Sequence, residues 1–367
     1  MGRLRAAGPQ VLIRMHMSKS SRIHFAVAGL GWPGRMHSAA VLGARGAVLH
    51  AVVDANADRL KEFMSEFPVK IGHTDYDAAL ADPKIDAVIL CLPNFLHFPA
   101  SMGALRAGKH VLCEKPPTLT AREMRRLKLE AESRGLIYAF GRQMRFGGRM
   151  MAARKLVRAG KLGDVYYART SWLRKRGIPI GMGGWFLDRK RAGGGALIDI
   201  GIHALDNAWY LMGSPRPVAV SGRVFQKFDG LVPGNVHNDV DDCGFAFIRF
   251  EGGQVLSLET TWAANLPETM AEGWNGSADC VLFGSKASLQ YQPLRLFEGD
   301  GEHVRVREVI AGKTDEFQLQ LKDLMRAIRT GNAPVSNATH ALWLMQMLDA
   351  VYQSSQTGRE VRIRTLG

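Results

Sequence analysis

At 367 residues the chain has room for two ordinary domains, since domains commonly run to about 100–200 residues, and it is too long for a single small binding module. Its composition is that of a globular protein, 46% hydrophobic and 22% charged, with no low-complexity tract. The formal charge of +14 overstates the basic character of the body, because Arg3, Arg5, Arg14, Lys19 and Arg22 fall in an N-terminal stretch without acids, and 14 less 5 leaves +9.

Residues 1–21 read as a disordered or non-native leader. The apolar piece Val11-Leu12-Ile13 is too short for a signal sequence, Met15 and Met17 allow a start further downstream, and no later stretch is long and apolar enough to span a bilayer. From Arg22 onward, Val- and Ile-rich runs alternate with amphipathic segments, which predicts repeated βαβ units around a parallel sheet. Strands are expected near 22–28, 48–54, 69–73, 85–91, 109–113 and 136–141, and helices near 34–43, 56–66, 75–81, 95–107 and 120–134. Pro93 and the Pro116-Pro117 pair follow strands directly and mark loops at their carboxyl ends, where open α/β sheets bind ligands.

Past about residue 144 the rhythm changes. A helix is expected near 148–159, then long strands at 165–169, 217–226, 243–250 and 253–262 without helices between most of them. Gly252-Gly253 reads as a hairpin, so this part should carry a largely antiparallel sheet. One helix interrupts it near 196–212, and the chain ends with helices near 318–329 and 337–355. The division is therefore residues 22–143 and 144–361. Phe245, Phe247, Phe250, Leu256 and Leu258 are more apolar surface than one helix layer covers, which predicts a homodimer or homotetramer paired through the sheet.

Cys91, Cys113, Cys243 and Cys280 form no C-x-x-C pair, and three lie in apolar runs, so free buried thiols and a cytoplasmic protein are expected. The basic clusters Arg174-Lys175-Arg176 and Arg189-Lys190-Arg191 are short and lack interleaved aromatics. They fit a solvated face or attraction of an anionic substrate better than nucleic acid. The histidines are scattered, no H-E-x-x-H occurs, and no metal site is expected.

Gly29-Leu30-Gly31-Trp32-Pro33-Gly34 closes the first strand and opens the first helix, giving G-x-G-x-x-G in the strand-to-helix context that makes the motif informative. The second strand ends at Asp54, twenty residues past Gly34, the spacing of an acid that accepts from both ribose hydroxyls of a dinucleotide. A 2′-phosphate would face that carboxylate's like charge, so NAD is favoured over NADP, although Asn56 and Arg59 lie close enough to reorganise around a phosphate.

Three further segments carry a resemblance: Leu92-Pro93-Asn94-Phe95-Leu96-His97, Cys113-Glu114-Lys115-Pro116-Pro117, and Gly193-Gly194-Gly195 leading through Asp199 to His203 and Asp206. With the N-terminal fingerprint they resemble the Gfo/Idh/MocA family of glucose-fructose oxidoreductase and inositol dehydrogenase, over nearly the whole chain from Arg22 to about Val361. The resemblance implies a Rossmann domain followed by a substrate domain on an open sheet, and an oxidoreductase acting on a sugar or cyclitol. It places Lys115, Asp199 and His203 around the reacting alcohol, and implies a cis Lys115-Pro116 bond. Leu92, Pro93, Asn94, His97 and Glu114 would lie near the nicotinamide half of the cofactor, His97 alternatively capping the following helix. Arg145 matches a position that reaches substrate, and Trp172, Arg174, Arg176 and Trp185 are looser candidates, with Gly177 to Gly184 folding over the site. Gly147 stands where inositol dehydrogenases often carry an acid, which argues against inositol itself.

The chemistry agrees with that placement. Oxidising a secondary alcohol removes a hydroxyl proton as well as hydride, a task suited to imidazole, while an ammonium nearby stabilises the developing oxyanion. Four residues apart on one helix, Asp199 could orient His203 or bind a substrate hydroxyl. Two other readings keep the same fold: a redox-neutral enzyme that cleaves glycosides with tightly held NAD, and a non-catalytic dinucleotide sensor, which usually lacks the lysine or histidine.

Overall fold

Alternating apolar runs and amphipathic segments build a six-stranded parallel sheet in the first half of the chain. In order these are β1 (Ile23–Ala28), α1 (Trp32–Gly43), β2 (Ala47–Val53), α2 (Ala57–Glu66), β3 (Gly72–His73), α3 (Tyr76–Ala81), β4 (Ala87–Leu90), α4 (Asn94–Arg106), β5 (His110–Cys113), α5 (Ala121–Arg134) and β6 (Tyr138–Phe140). The computed structural model describes residues 22–181, 183–267 and 277–363, and the expected leader 1–21 lies outside them. The strand order β3-β2-β1-β4-β5-β6 reverses between β1 and β4, opening a crevice at their carboxyl ends. Helix starts follow local chemistry: the side chains of Asn56, Asp75 and Thr120 accept from the N–H groups of Arg59, Asp77 and Glu123. Every residue of β4 is buried, as a strand covered by helices on both faces must be.

The second half comprises α6 (Gly148–Arg158), β7 (Val165–Leu173), α7 (Arg189–Ala192), a π-helical turn (Leu197–Gly201) running into α8 (Ile202–Leu211), β8 (Pro217–Phe225), β9 (Cys243–Phe250), β10 (Val255–Thr261), β11 (Ser277–Gly284), β12 (Ala287–Gln290), β13 (Arg295–Asp300), β14 (His303–Glu308), α9 (Glu316–Thr330), α10 (Ala338–Thr357) and β15 (Val361–Arg362). Nine strands form one sheet in the order β14-β13-β12-β11-β7-β10-β9-β8-β15, antiparallel except where β10 meets β7. The Gly252-Gly253 hairpin joins β9 to β10, with Gly253 at φ 84°. The sheet is larger than the sequence reading, which did not anticipate β11 to β15.

Helix α8 packs on β7, β10 and β11, and α10 on β8, covering one face of this sheet. Phe250, Leu256 and Leu258 point into that layer, whereas Phe245 and Phe247 alternate to the open face, exposed by 43% and 37%. Helix α9 lies beyond the expected boundary at residue 143 yet belongs to the first core: Phe317, Leu321, Leu324, Met325 and Ile328 pack with Ile23, Phe25 and Val41. The four cysteines are free, with Cys113, Cys243 and Cys280 buried. Among the described residues no helix is long and apolar enough to cross a membrane.

Candidate active site

The dinucleotide fingerprint is built by close approach. A Cβ on Gly29, at φ +86°, would sit 2.2 Å from the carbonyl oxygen of Cys91, and one on Gly34 would sit 1.9 Å from the carbonyl oxygen of Gly29. At Gly31 the nearest atom is Pro33 Cδ at 4.0 Å, so this glycine faces open space, the cradle a pyrophosphate requires. Helix α1 starts there with no side-chain cap and no acid in its first turn, leaving its amide donors and positive dipole end for an anion. Pro33 supplies the fixed φ of the first turn and Trp32, 64% exposed, stands beside it, edge-on to Phe317. Asp54 is buried, accepts from the N–H groups of Leu30 and Asn56 at 3.0 and 2.9 Å, and meets Arg59 Nη1 at 3.3 Å. The two contacts from half-exposed Arg59 are long, at 3.4 and 3.3 Å, and are the ones ribose hydroxyls would displace from the carboxylate.

The loops after β4 and β5 are clasped together. His97, expected near the nicotinamide, is buried with Nδ1 2.6 Å from the carbonyl oxygen of Pro116 and Nε2 2.7 Å from that of Leu92, so it ties the two loops as a strut. Asn94 donates to Ala192 O at 2.8 Å, joining the Pro93 turn to the segment that precedes the glycine run. Glu114 pairs with His37 of α1 at 2.8 Å and accepts from the Lys115 amide at 3.2 Å. Burial opposes its charge, but His37 and Lys115 hold its carboxyl below the usual range. The Lys115-Pro116 bond is cis.

Each glycine of the run Gly193-Gly194-Gly195 has a separate cause. Gly193, at φ +89°, caps α7; a Cβ on Gly194 would strike the Tyr352 hydroxyl, and one on Gly195 the backbone of Asp241. Asp241 accepts from the amides of Gly195 and Leu197 and from Tyr352, fixing the start of the π turn that carries Asp199. Lys115 Nζ donates to Asp199 Oδ1 and to its carbonyl oxygen, both at 3.0 Å. Trp262 Nε1 donates to Asp199 Oδ2 at 3.0 Å, and Arg174 Nη1 lies 3.6 Å from the same oxygen. Burial alone would raise the Asp199 pKa, but Lys115, Arg174 and Trp262 hold it down and ionised.

His203 sits one turn further, its ring 5.4 Å from that of Trp172. It makes no bond to Asp199. The expected i to i+4 pairing fails because the Asp199 carboxylate is taken by Lys115, Trp262 and Arg174, while Arg142 Nη1 donates to His203 Nδ1. Arg142 is fully buried and held by Asp206, Asn207 and the His203 carbonyl. Burial, then the charges of Lys115, Arg142 and Arg174, push the His203 imidazole well below its ordinary range.

The structure thus brings together Lys115, Asp199, His203, Trp172 and Arg174, from loops and strands of both halves, and adds Arg142 and Trp262. Arg145 is not among them. Expected to reach substrate, it is instead fully buried between Asp206, Val335 O and His340, under the ring of Tyr210. Trp185 packs against Phe186, and Arg176 bonds Ala264 O and Asn265 at the surface. From the described part of the loop Gly177 to Gly184, Ile178 and Ile180 share a cluster with Trp262 and Trp172. Next to Gly147, where an acid was absent, the Glu316 carboxylate of α9 fills the space. Arg189 and Arg191, from the second basic cluster, lie over the rings of Tyr352 and Phe95. Asp188, His237 and Asp239 offer three ligand atoms on the surface, but the two carboxylates already accept from the Lys190 and Arg189 amides.

Comparison with known proteins fits this geometry. Residues 23–142 match the family described as an oxidoreductase family with an NAD-binding Rossmann fold, and residues 150–290 match the GFO/IDH/MocA C-terminal domain. The chain belongs to the Gfo/Idh/MocA family. It is an NAD-binding oxidoreductase acting on CH–OH groups, as its relatives are. It is 28% identical over 357 residues to D-glucoside 3-dehydrogenase of Escherichia coli (strain K12), covering 94% of this chain and 98% of that one. It is 24% identical to myo-inositol 2-dehydrogenase of Thermotoga maritima over 345 residues, 92% and 97% of the two chains. A levoglucosan dehydrogenase solved with NADH and L-sorbose shares the fold, with a TM-score of 0.84 at 23% identity, covering 94% of this chain and 100% of that one.

Proposed function

We propose that the protein oxidises a secondary hydroxyl of a pyranose, glycoside or cyclitol, with Lys115, Asp199 and His203 around the reacting carbon. The observation that carries this is the meeting of Lys115, delivered by the β5 loop of the nucleotide domain, with Asp199 and His203 of the sheet domain, at the carboxyl edge of the strands. When bound there, NAD supplies the hydride acceptor. Lys115 and the His203 Nε2 edge face the alcohol oxygen, and positive charge from Lys115 and Arg174 favours the oxyanion that forms as hydride departs. Asp199 fixes the lysine and accepts from a neighbouring substrate hydroxyl, buried Trp262 holds Asp199 in place, and half-buried Trp172 packs on the apolar face of a sugar ring.

Glu114 and His97 have no direct part in the chemistry; they hold the two loops that present Lys115. Among relatives, one is named a dehydrogenase of glucosides at position 3 and another of inositol. The mixture of cations and tryptophans suits either ring class. A screen of sugars, glycosides and cyclitols for NADH formation tests the proposal, and it fails if none is oxidised although NAD binds. The open face bearing Phe245 and Phe247 supports assembly as a dimer or tetramer through the sheet.

A further inference from the structure

We infer that the substrate carries a permanent negative charge, the carboxylate of a sugar acid or the phosphate of a sugar phosphate, and that Arg174 is the residue that selects it. This rests on the dehydrogenase reading above and narrows its substrate class. The first support is position. Strand pairing runs one residue past β7, the Arg174 N–H donating to Thr261 O at 2.8 Å, so Arg174 stands two residues beyond Trp172 on the same face of the strand. Two residues of strand span about 7 Å, the reach of an exocyclic group on a ring laid against Trp172. The arginine is held there by its own turn. A Cβ on Gly177 would lie 2.5 Å from Arg174 Cδ, so this glycine makes room for the arginine stem. The Gly177 N–H ties the turn to Trp262 O at 2.7 Å, and Arg174 Nη1 donates to Gly177 O at 3.4 Å.

The second support is charge. The Arg174 side chain is only 12% exposed; burial opposes its charge, and Asp199 is the acid that supports it. That carboxylate lies 3.6 Å away, beyond hydrogen-bond distance, with Oδ1 taken by Lys115 and Oδ2 by Trp262. Asp199 thus serves Lys115 and Arg174, and Asp206 serves Arg142 and Arg145, one carboxylate to two cations in each case. Counting Glu114, which is engaged with His37, still leaves the cations in excess. An oxidised nicotinamide brings a further positive charge. The oxyanion of the reaction does not balance this set, because it exists only while hydride leaves, whereas buried charge has to be compensated in the resting complex. A carboxylate or phosphate on the substrate does so, and the guanidinium fork matches two oxygens of either group at once. Asp199 remains the acceptor for an uncharged hydroxyl, so the two kinds of substituent are recognised by different side chains.

Matched pairs test the inference: methyl glucoside against methyl glucuronide, galactose against galacturonate, and glucose against glucose 6-phosphate, the last separating phosphate from carboxylate. Calorimetric titration into the NADH-loaded protein reads binding without turnover, and the charged member of at least one pair should bind at least about tenfold more tightly than its neutral partner. Steady-state kcat/KM should favour the same member. Arg174→Met should lower the charged-to-neutral ratio of kcat/KM by about 10- to 100-fold, a ratio in which any loss common to both substrates cancels, and Arg174→Lys should recover part of it. Equal or weaker binding of every charged member, or a ratio that Arg174→Met leaves within about twofold, overturns the inference. If no member of any pair is oxidised, the functional reading fails, while binding to the NADH-loaded protein still decides whether the site selects charge.

Discussion

Asp206 is the carboxylate on which the geometry of His203 depends, and replacing it measures that dependence. It is fully buried and receives Arg142 Nε at 2.7 Å and Arg145 Nε at 3.0 Å, with a further contact from Arg145 Nη2 at 2.5 Å. Burial raises a carboxyl pKa, yet the two arginines outweigh it and bring Asp206 from 3.8 to about 2. At about 1.4 kcal/mol for each pH unit, that depression corresponds to folding stability on the order of 2–3 kcal/mol. Because the ionised form is favoured in the folded state, this contribution is complete above about pH 4 and is lost as pH falls from there through about 2. Asp206→Asn keeps an acceptor but leaves two buried cations without their counter-ion, and removal of one partner of such a cluster typically costs about 3–5 kcal/mol. Urea unfolding at neutral pH, read as the shift in midpoint at constant slope, should show a loss in that range. A change below about 1 kcal/mol would falsify the assignment of Asp206 as the charge that keeps Arg142 in place. The variant should also lack the wild type's loss of stability between about pH 4 and 2.

Cofactor choice follows from Asp54: NAD should bind more tightly than NADP by at least tenfold, about 1.4 kcal/mol, in calorimetric titration, and Asp54→Ser should narrow the gap by releasing Arg59. Equal wild-type affinities would show that the carboxylate does not repel a 2′-phosphate. Lys115→Ala should lower kcat by about 10²–10⁴ without unfolding the protein; a variant near the wild-type rate would remove Lys115 from the reaction. Light scattering at micromolar concentration should give a dimer or tetramer, and Phe247→Glu on the open sheet face should dissociate it; a monomeric wild type counts against pairing through that face.

Most of the nucleotide domain was legible in the sequence because its signals are local. Caps at Asn56, Asp75 and Thr120 and the two-sided burial of β4 set the elements within a few residues of their observed ends. What was not legible depends on distant contacts. β14 is exposed along its length, so Val304 and Val306 mark no core, and α9 joins the first domain through residues nearly 300 positions from β1. Arg142 and Arg145 lie three apart in one short segment. Nothing in that segment tells which meets His203 and which is sealed behind it against His340, because the difference is made by α8 and α10. Trp262, which holds Asp199, follows a strand with no motif around it.

The spacing of Asp199 and His203 allows a pairing that the surrounding side chains prevent. On a regular helix the two share a face, and a carboxylate beside an imidazole would raise its basicity. Here the chain passes through a π turn between them, a departure often found at functional sites, and a lysine, an arginine and a tryptophan claim the carboxylate. The histidine is left among cations. That field has two consequences that cannot be separated: it stabilises negative charge on an alcohol oxygen, and it opposes a proton on the imidazole by the same sign of interaction.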